Sequence, residues 1–404
     1  MDKRPAFLFI IITLVIDAMG IGLIIPVMPE LMKTVADVDL ASAAIWGGVL
    51  ATIFAVMQFL FGPTVGALSD RYGRRPILLI SMAVIAVDYV IMGFATSIWL
   101  LLVLRIIAGI AASTQVTAAA YISDISTPEQ KIANFGILGA AFGIGFVLGP
   151  LVGGLLGEFD YRAPFFAAAA LATASLIFGY FVLPETLTDA TRRPFNLSRS
   201  NPVGALAQVR RFPGMMRLMV LFFLYDFAFN VYPAAWSYFT IARFGWSEGM
   251  VGVSLALFGI SIAVVQGFLI RKVVVRYTAR QIILFGFVFD FVIFIVLAFI
   301  TSGTWALILT PVAALGAVVV PSLQGVIARM ADDNQQGEIQ GIISSVRALS
   351  VIAAPLVMTS AFFWGTREGA AFFLPGAPFL VSAAVVVVCL AIFWRPEAIQ
   401  PHQR

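Results

Sequence analysis

Twelve apolar runs, each closed by charged residues or by glycine and proline, constrain this chain more than any single motif. They lie near 6–28, 43–68, 76–95, 98–122, 132–157, 163–183, 215–242, 248–270, 281–301, 304–328, 337–361 and 376–394. About 20 apolar residues are needed to cross a bilayer as a helix, and every one of these runs comes close to or exceeds that length. Only 11% of the 404 residues are charged and 61% are hydrophobic, whereas a soluble domain carries about a quarter of its residues as charges. The expected fold is therefore an all-α membrane protein with 12 transmembrane helices. The first run carries Asp17 at its middle and is too long for a signal-peptide core, so it is expected to stay as the first helix of the mature protein.

Several chemistries are excluded at the outset. A single cysteine, Cys389, permits neither an intramolecular disulfide nor a cysteine metal cluster. The one histidine, His402, lies in the tail, which leaves no histidine for a metal site or proton relay in the spans.

The stretch from Leu183 to Arg217 is the one long polar connection. It holds Glu185, Asp189, Arg192, Arg193, Arg199, Arg210 and Arg211. It divides the chain into an N-terminal six-helix bundle (1–183), a cytoplasmic linker (184–214) and a C-terminal six-helix bundle (215–404). With both termini cytoplasmic, only Lys33, Arg162, Arg243 and Arg367 fall on the outer side, and Arg105 and Arg347 fall within spans. The rest of the 25 basic residues face the cytoplasm, as the positive-inside rule requires.

The halves also repeat one another. Ala55-Val-Met-Gln58 returns as Ala263-Val-Val-Gln266, and Arg71-Tyr72 as Arg276-Tyr277. Phe94-Ala-Thr-Ser97 returns as Phe299-Ile-Thr-Ser302, and Pro150 as Pro355, at spacings of 205 or 208 residues. A shared spacing points to duplication of one six-helix unit in the same orientation. Parallel repeats of this kind place a substrate site between the halves near mid-membrane.

Two motifs stand out. Gly66-Ala-Leu-Ser-Asp70-Arg71-Tyr72-Gly73-Arg74-Arg75-Pro76 joins spans 2 and 3 in a loop that sets one acid among three arginines. Glycine permits close approach and positive φ, and Asp70 can pair with an arginine or a helix N-terminus. Gly66, Asp70, Arg71, Gly73, Arg74 and Arg75 are expected to form a gating cluster; arginines kept only for topology are the alternative. In span 5, Gly139-Ala-Ala-Phe-Gly143-Ile-Gly145-Phe-Val-Leu-Gly149-Pro150-Leu-Val-Gly153-Gly154 offers a smooth face for close packing, broken by Pro150.

The loop between spans 2 and 3 resembles the signature Gly-x-x-x-Asp-Arg-x-Gly-Arg-Arg of the major facilitator superfamily. The span-5 pattern around Gly145, Gly149, Pro150, Gly153 and Gly154 resembles the motif of that superfamily's antiporters; an ordinary packing face remains the alternative. Asp17-Ala-Met-Gly-Ile-Gly-Leu-Ile-Ile-Pro26-Val-Met-Pro29, Asp88-Tyr89, Arg105-Ile-Ile-Ala-Gly109-Ile110, Arg243-Phe-Gly-Trp246, Pro321-Ser-Leu-Gln324-Gly325 and Gln335-Gln336-Gly337 are similar to the tetracycline/proton antiporters. The similarity runs from about residue 8 to 360.

Ionisable residues inside spans cost about 2.5–3.5 kcal/mol each to insert and are as a rule functional or paired. Asp17, Asp88, Arg105, Asp226 and Asp290 are the candidates for proton coupling. The resemblance implies such roles for the positions of Asp17, Asp88, Arg105 and Asp290. Structural Asp–Arg pairs that only hold helices together are the alternative. Gln58, Tyr225, Asn230, Trp236 and Gln266 are the candidates for substrate binding; the aromatic and polar wall of span 7 suits a planar, partly cationic drug, and lipid-facing or packing aromatics are the alternative for most of its rings.

The chain departs from the family pattern at two places. The family's exporters carry a glutamine at the position of Asp226, and a histidine where Ile262 stands, four residues before Gln266. The expected function is proton-coupled export of tetracycline-type drugs; a proton-coupled exporter of a different drug class or a native metabolite is the alternative. No permanently bound cofactor is expected, and the resemblance implies magnesium as part of a drug chelate. The expected partners are a small-molecule drug, protons and the lipid bilayer, with no nucleic acid, in a monomer of the bacterial inner membrane. No nucleophile–base pair, metal cluster or phosphate-binding glycine loop supports an enzyme.

Overall fold

The computed structural model describes residues 4–112, 114–188, 192, 204, 209, 214–330 and 335–394. Twelve helices among them are long and apolar enough to cross a membrane, as the sequence predicts. They are helix 1 (Ala6–Ile24), helix 2 (Leu40–Tyr72), helix 3 (Arg74–Phe94), helix 4 (Ile98–Ile125), helix 5 (Ala133–Gly157) and helix 6 (Ala163–Val182). The second set is helix 7 (Met215–Phe244), helix 8 (Glu248–Arg276), helix 9 (Ala279–Phe299), helix 10 (Gly303–Ala328), helix 11 (Gln336–Thr366) and helix 12 (Ala377–Trp394).

The first span ends four residues earlier than its apolar run. A turn follows Ile24, and a separate short helix, Met28–Ala36, starts with Pro29 in its first turn. Proline there costs nothing, since its missing N–H is an orphan in any case. Pro26 two residues upstream cannot extend the preceding helix.

The helices pack as two compact units. The first gathers the described residues of Met1–Val38, Ile53–Pro202 and Ser247–Ala256, and the second those of Asp39–Thr52, Val203–Trp246 and Leu257–Arg404. Packing thus differs from chain order at two places, the first turns of helix 2 and of helix 8. Within the second unit the Thr52 hydroxyl donates to the Ile352 carbonyl at 3.1 Å, and a Cβ on Gly48 would run into Thr359 and the Pro355 carbonyl. Within the first unit a Cβ on Gly252 would overlap the Pro150 carbonyl. Arg193, Arg199, Arg210 and Arg211 of the linker lie outside the described residues.

Each unit has its own core. In the first, Phe9, Ile10, Leu14, Leu78, Met82 and Tyr121 interdigitate around helix 1. In the second, Tyr232, Trp236, Phe239, Phe294 and Phe379 form a nest of rings with centroids 4.9–6.3 Å apart. Offset and edge-on ring geometry adds to the area that such residues bury.

Three helices of the second unit are irregular, each near a residue that carries charge or hydrogen bonds. Helix 7 breaks at Asn230, between Met215–Phe229 and Val231–Phe244. Pro233 cannot donate to the ladder three residues on. Helix 8 contains a π segment, Val265–Leu269, which includes Gln266. Helix 10 tightens to a 3-10 segment, Ala314–Val318. Pro321 supplies no amide for the Ala317 carbonyl, which favours the tighter winding there.

Candidate functional site

Those irregular segments frame a cavity of about 140 Å³ in the second unit. Tyr225, Asp226, Phe229, Ile262, Gln266, Ala317, Val320 and Arg347 line it. Gln266 sits in the π segment and Ala317 in the 3-10 segment, so both walls are built from turns that depart from α geometry. Such turns concentrate at functional sites because their backbone groups are not all committed to the ladder.

The charge in this cavity is a pair. The Asp226 carboxylate lies 3.6 Å from Arg347 Nε, and the guanidinium also covers the Phe222 ring at 5.7 Å. Arg347 stays half-exposed at 47% while Asp226 is at 11%. At 3.6 Å this contact is longer than a charge-assisted hydrogen bond. Asn230 turns back on its own helix, donating to the Asp226 carbonyl at 2.7 Å and to its carboxylate at 3.4 Å. Of the five expected substrate-binding residues, Tyr225 and Gln266 line this cavity. Trp236 is buried among the rings of the second core, which the aromatic clustering in the sequence does not distinguish from a ligand wall.

Asp290 does not line the cavity. It is fully buried at 0% exposure, and no ion pair holds it among the described residues. The Tyr225 hydroxyl lies 2.6 Å from Asp290 Oδ2 and 2.7 Å from the Gly316 carbonyl. Asp290 Oδ1 has no hydrogen-bond partner. A Cβ on Gly316 would land on this carboxyl group, so glycine is what admits it against helix 10. Tyr225 therefore spans from the cavity wall to a buried acid, a link that spacing along the sequence does not reveal.

In the first unit, Asp88 and Arg105 form a buried ion pair, with Asp88 at 3% exposure. Arg105 also reaches the Met92 sulfur at 2.8 Å and the Phe54 ring at 5.4 Å. Asp17 is partly buried on helix 1, and Asp17 and Asp88 both lie within electrostatic reach of Tyr89. Gln58 donates to the Ala112 carbonyl at 2.8 Å, tying helix 2 to helix 4.

The signature between helices 2 and 3 is mostly helix. Helix 2 continues through Gly66, Asp70 and Arg71 to Tyr72, and only Gly73 interrupts it, at φ 112°. The expected loop is thus a single residue, and it is one where side chains are strained. Asp70 pairs with Arg74 at 2.5 Å, and Arg74 reaches Asp124 at 3.1 Å and Ser69 at 2.7 Å. Glu185 completes the cluster. Its carboxylate accepts the amides of Arg74 at 2.9 Å and Arg75 at 3.2 Å, and those of Thr186 and Leu187 at 2.9 and 3.1 Å. A carboxylate over the first amides of a helix meets both orphan donors and the positive dipole end. Arg75 donates to the Tyr180 carbonyl at 2.6 Å, and Arg71 lies 5.1 Å from the Tyr72 ring. Neither Asp124 nor Glu185 belongs to the signature, and Glu185 reads in the sequence as a linker charge.

The glycine motif of helix 5 meets helix 1. A Cβ on Gly145 would overlap the Val15 carbonyl, one on Gly149 the Met19 carbonyl and Gly22, and one on Gly153 the Leu23 carbonyl. The Pro150 ring fills the space beside Gly22, and Gly154 faces Gly252 of helix 8. Spacing of four residues puts the first three on one face. Gly139 and Gly143 have nothing within 4 Å of such a Cβ.

Comparison with known proteins agrees with these features. The family model described as Major Facilitator Superfamily matches residues 10–355 and 218–404. The chain is 38% identical over 395 residues to the tetracycline resistance protein, class C, of Escherichia coli, covering 98% of each. It is 34% identical over 397 residues to the class G protein of Vibrio anguillarum, again covering 98% of each. Among solved structures it superposes on a D-xylose-proton symporter with a TM-score of 0.77 at 15% identity, over 99% of this chain and 98% of that one. That likeness concerns the fold.

Proposed function

The chain belongs to the major facilitator superfamily, in the branch of the tetracycline resistance proteins, and from this we propose that it exports tetracycline-type drugs in exchange for protons. It is a transporter and not an enzyme, and a multi-pass protein of the inner membrane. The observation that carries the choice of cargo is the 38% identity to the class C protein along 98% of both chains. The cavity at Asp226 and Arg347 supplies a carboxylate, a guanidinium, an amide and two aromatic rings, a set able to hold a polar, planar drug. A magnesium ion chelated by the drug would travel as part of the substrate, with the Asp226 carboxylate as its oxygen donor on the protein.

Asp17, Asp88, Arg105 and Asp290 are the groups for proton coupling in this reading. A carboxylate held out of water can take a proton from one side of the membrane and release it to the other. Both termini face the cytoplasm, in keeping with the basic residues that follow helices 2, 8 and 10. The Asp70–Arg74–Asp124 cluster would gate that side.

The test is tetracycline susceptibility and energised efflux in cells expressing the chain, with and without Asp290→Asn. Resistance that needs both the proton gradient and Asp290 supports the reading. Absence of protection, with the native protein present in the membrane, overturns the cargo.

A second reading, export of another drug class, is favoured by the cavity wall itself. Ile262 and Asp226 both line it, the two positions at which the sequence departs from the pattern it otherwise resembles. A resistance panel that protects only against other drugs would select this reading.

A further inference from the structure

A phenol carries one hydrogen, yet the Tyr225 hydroxyl has two acceptors within hydrogen-bond distance. Asp290 Oδ2 is at 2.6 Å and the Gly316 carbonyl at 2.7 Å. Both contacts are satisfied together when the carboxyl group carries a proton. Asp290 then donates to the phenol oxygen, and the phenol donates to Gly316. When the proton leaves, the O–H bond at Oδ2 breaks and its electron pair remains on the carboxylate. The one phenol hydrogen is then drawn to the charged oxygen, because a charge-assisted hydrogen bond is the stronger of the two.

The Gly316 carbonyl is the one that would change partners. It accepts the Val319 amide as part of the 3-10 segment Ala314–Val318, and the phenol occupies its other side. A side chain that bonds a helix carbonyl pulls it out of the regular ladder. Without that donor the carbonyl is free to return to the α pattern. Ala317, one residue on, and Val320 line the drug cavity together with Tyr225 itself.

We propose that Tyr225 is a positioning residue that converts the proton on Asp290 into a choice of winding in helix 10 at Gly316, and so into the shape of the drug cavity. The assignment rests on the reading above that drug is exchanged for protons. The other titratable groups near this centre are Tyr232 of helix 7, within electrostatic reach of Asp290, and Cys389 of helix 12, beside Tyr225. Neither belongs to the hydrogen-bond set. Asp290 has no cation as ion-pair partner among the described residues, so the phenol is the neighbour that senses its charge.

Tyr225→Phe keeps the ring and removes the hydroxyl. In proteoliposomes loaded with tetracycline, uptake driven by a proton gradient should fall at least tenfold more than tetracycline counterflow, which needs no net proton movement. Native coupling in Tyr225→Phe overturns the assignment. Absence of tetracycline counterflow in the native protein instead sinks the cargo reading and leaves this assignment to a second measurement. That measurement is hydrogen exchange of peptides covering 314–320, corrected for the intrinsic effect of pH. Protection there should change with pH in the native protein, and should be independent of pH in Tyr225→Phe and in Asp290→Asn. A pH-independent pattern in the native protein rejects the proposal whatever the cargo.

Discussion

The carboxylate of Glu185 accepts the backbone N–H of Arg74 at 2.9 Å, so the first charged residue of the linker closes the N-terminus of helix 3. The single interrupting residue between helices 2 and 3, Gly73, packs directly against that carboxylate. Charge, turn and linker therefore form one device, and removing any part of it exposes the amides of helix 3.

Glu185→Ala should destabilise the purified protein by about 0.5–2 kcal/mol, the range for loss of a helix cap. Glu185→Gln should recover part of it, because the amide oxygen still accepts while the charge–dipole contribution is lost. Thermal unfolding in detergent reads both. Equal stability of Glu185→Ala and the native chain would remove the capping role.

Gly73→Ala meets two penalties at once, a φ of 112° and the Glu185 carboxylate. Backbone strain of this kind costs about 1–3 kcal/mol. The variant should express at a lower level and melt earlier, and Gly66→Ala, whose Cβ would meet only the Val116 side chain at an ordinary contact distance of 3.8 Å, should behave as the native protein in the same melt.

Gly153→Ala should be poorly tolerated, because its Cβ would overlap the Leu23 carbonyl, and Gly143→Ala should be tolerated, because nothing lies within 4 Å. Overpacking costs about 1–3 kcal/mol where the neighbour is backbone. A melt of the two variants side by side decides; equal behaviour would mean that helices 1 and 5 separate without cost.

Asp88→Asn should destabilise by about 3–5 kcal/mol, since it leaves the Arg105 guanidinium buried without its counter-ion. Replacing both residues by similarly sized apolar ones should recover most of that loss. The double-mutant cycle separates a helix-holding pair from a proton-coupling one. Restored stability with lost export points to coupling, and restored stability with full export points to a purely structural pair.

Asp226→Asn should raise the apparent KM for the exported drug about tenfold, the effect of losing one charge-assisted contact. Gln266→Ala should act in the same direction, since both side chains line the cavity. Transport assays over a drug concentration series give the split between KM and rate, and an unchanged KM in Asp226→Asn would remove this cavity from the substrate path.

The helices were legible in the sequence because burial in lipid demands length and apolarity, and both are composition properties. Asp290 and Arg105 were legible for the same reason, since each is an ionisable residue within an apolar run. Their partners were not equally so. Arg105 and Asp88 stand on neighbouring helices, but the acceptor that Tyr225 meets in Asp290 and Gly316 depends on how helices 7, 9 and 10 rotate. Glu185 reads as an ordinary linker charge until the turn at Gly73 brings two amides to it. The signature motif reads as a loop because glycine and arginine dominate it, whereas helix 2 runs on through it to Tyr72. Trp236 lies buried among the rings of the second core, the packing alternative that its sequence context leaves open, since an aromatic residue two turns from the cavity has the same neighbours in sequence.

Helix 10 carries a reserve of length. Five residues wound as a 3-10 helix rise about 2.0 Å each, against about 1.5 Å in an α-helix. Rewinding Ala314–Val318 would therefore draw its two ends about 2.5 Å closer, roughly the width of a water molecule. Trp305 stands exposed near one end and Arg329 at the other, residue types that anchor helices at opposite faces of a bilayer. A helix moored at both faces and shortened in the middle works as a stroke: it pulls on its moorings rather than simply bending.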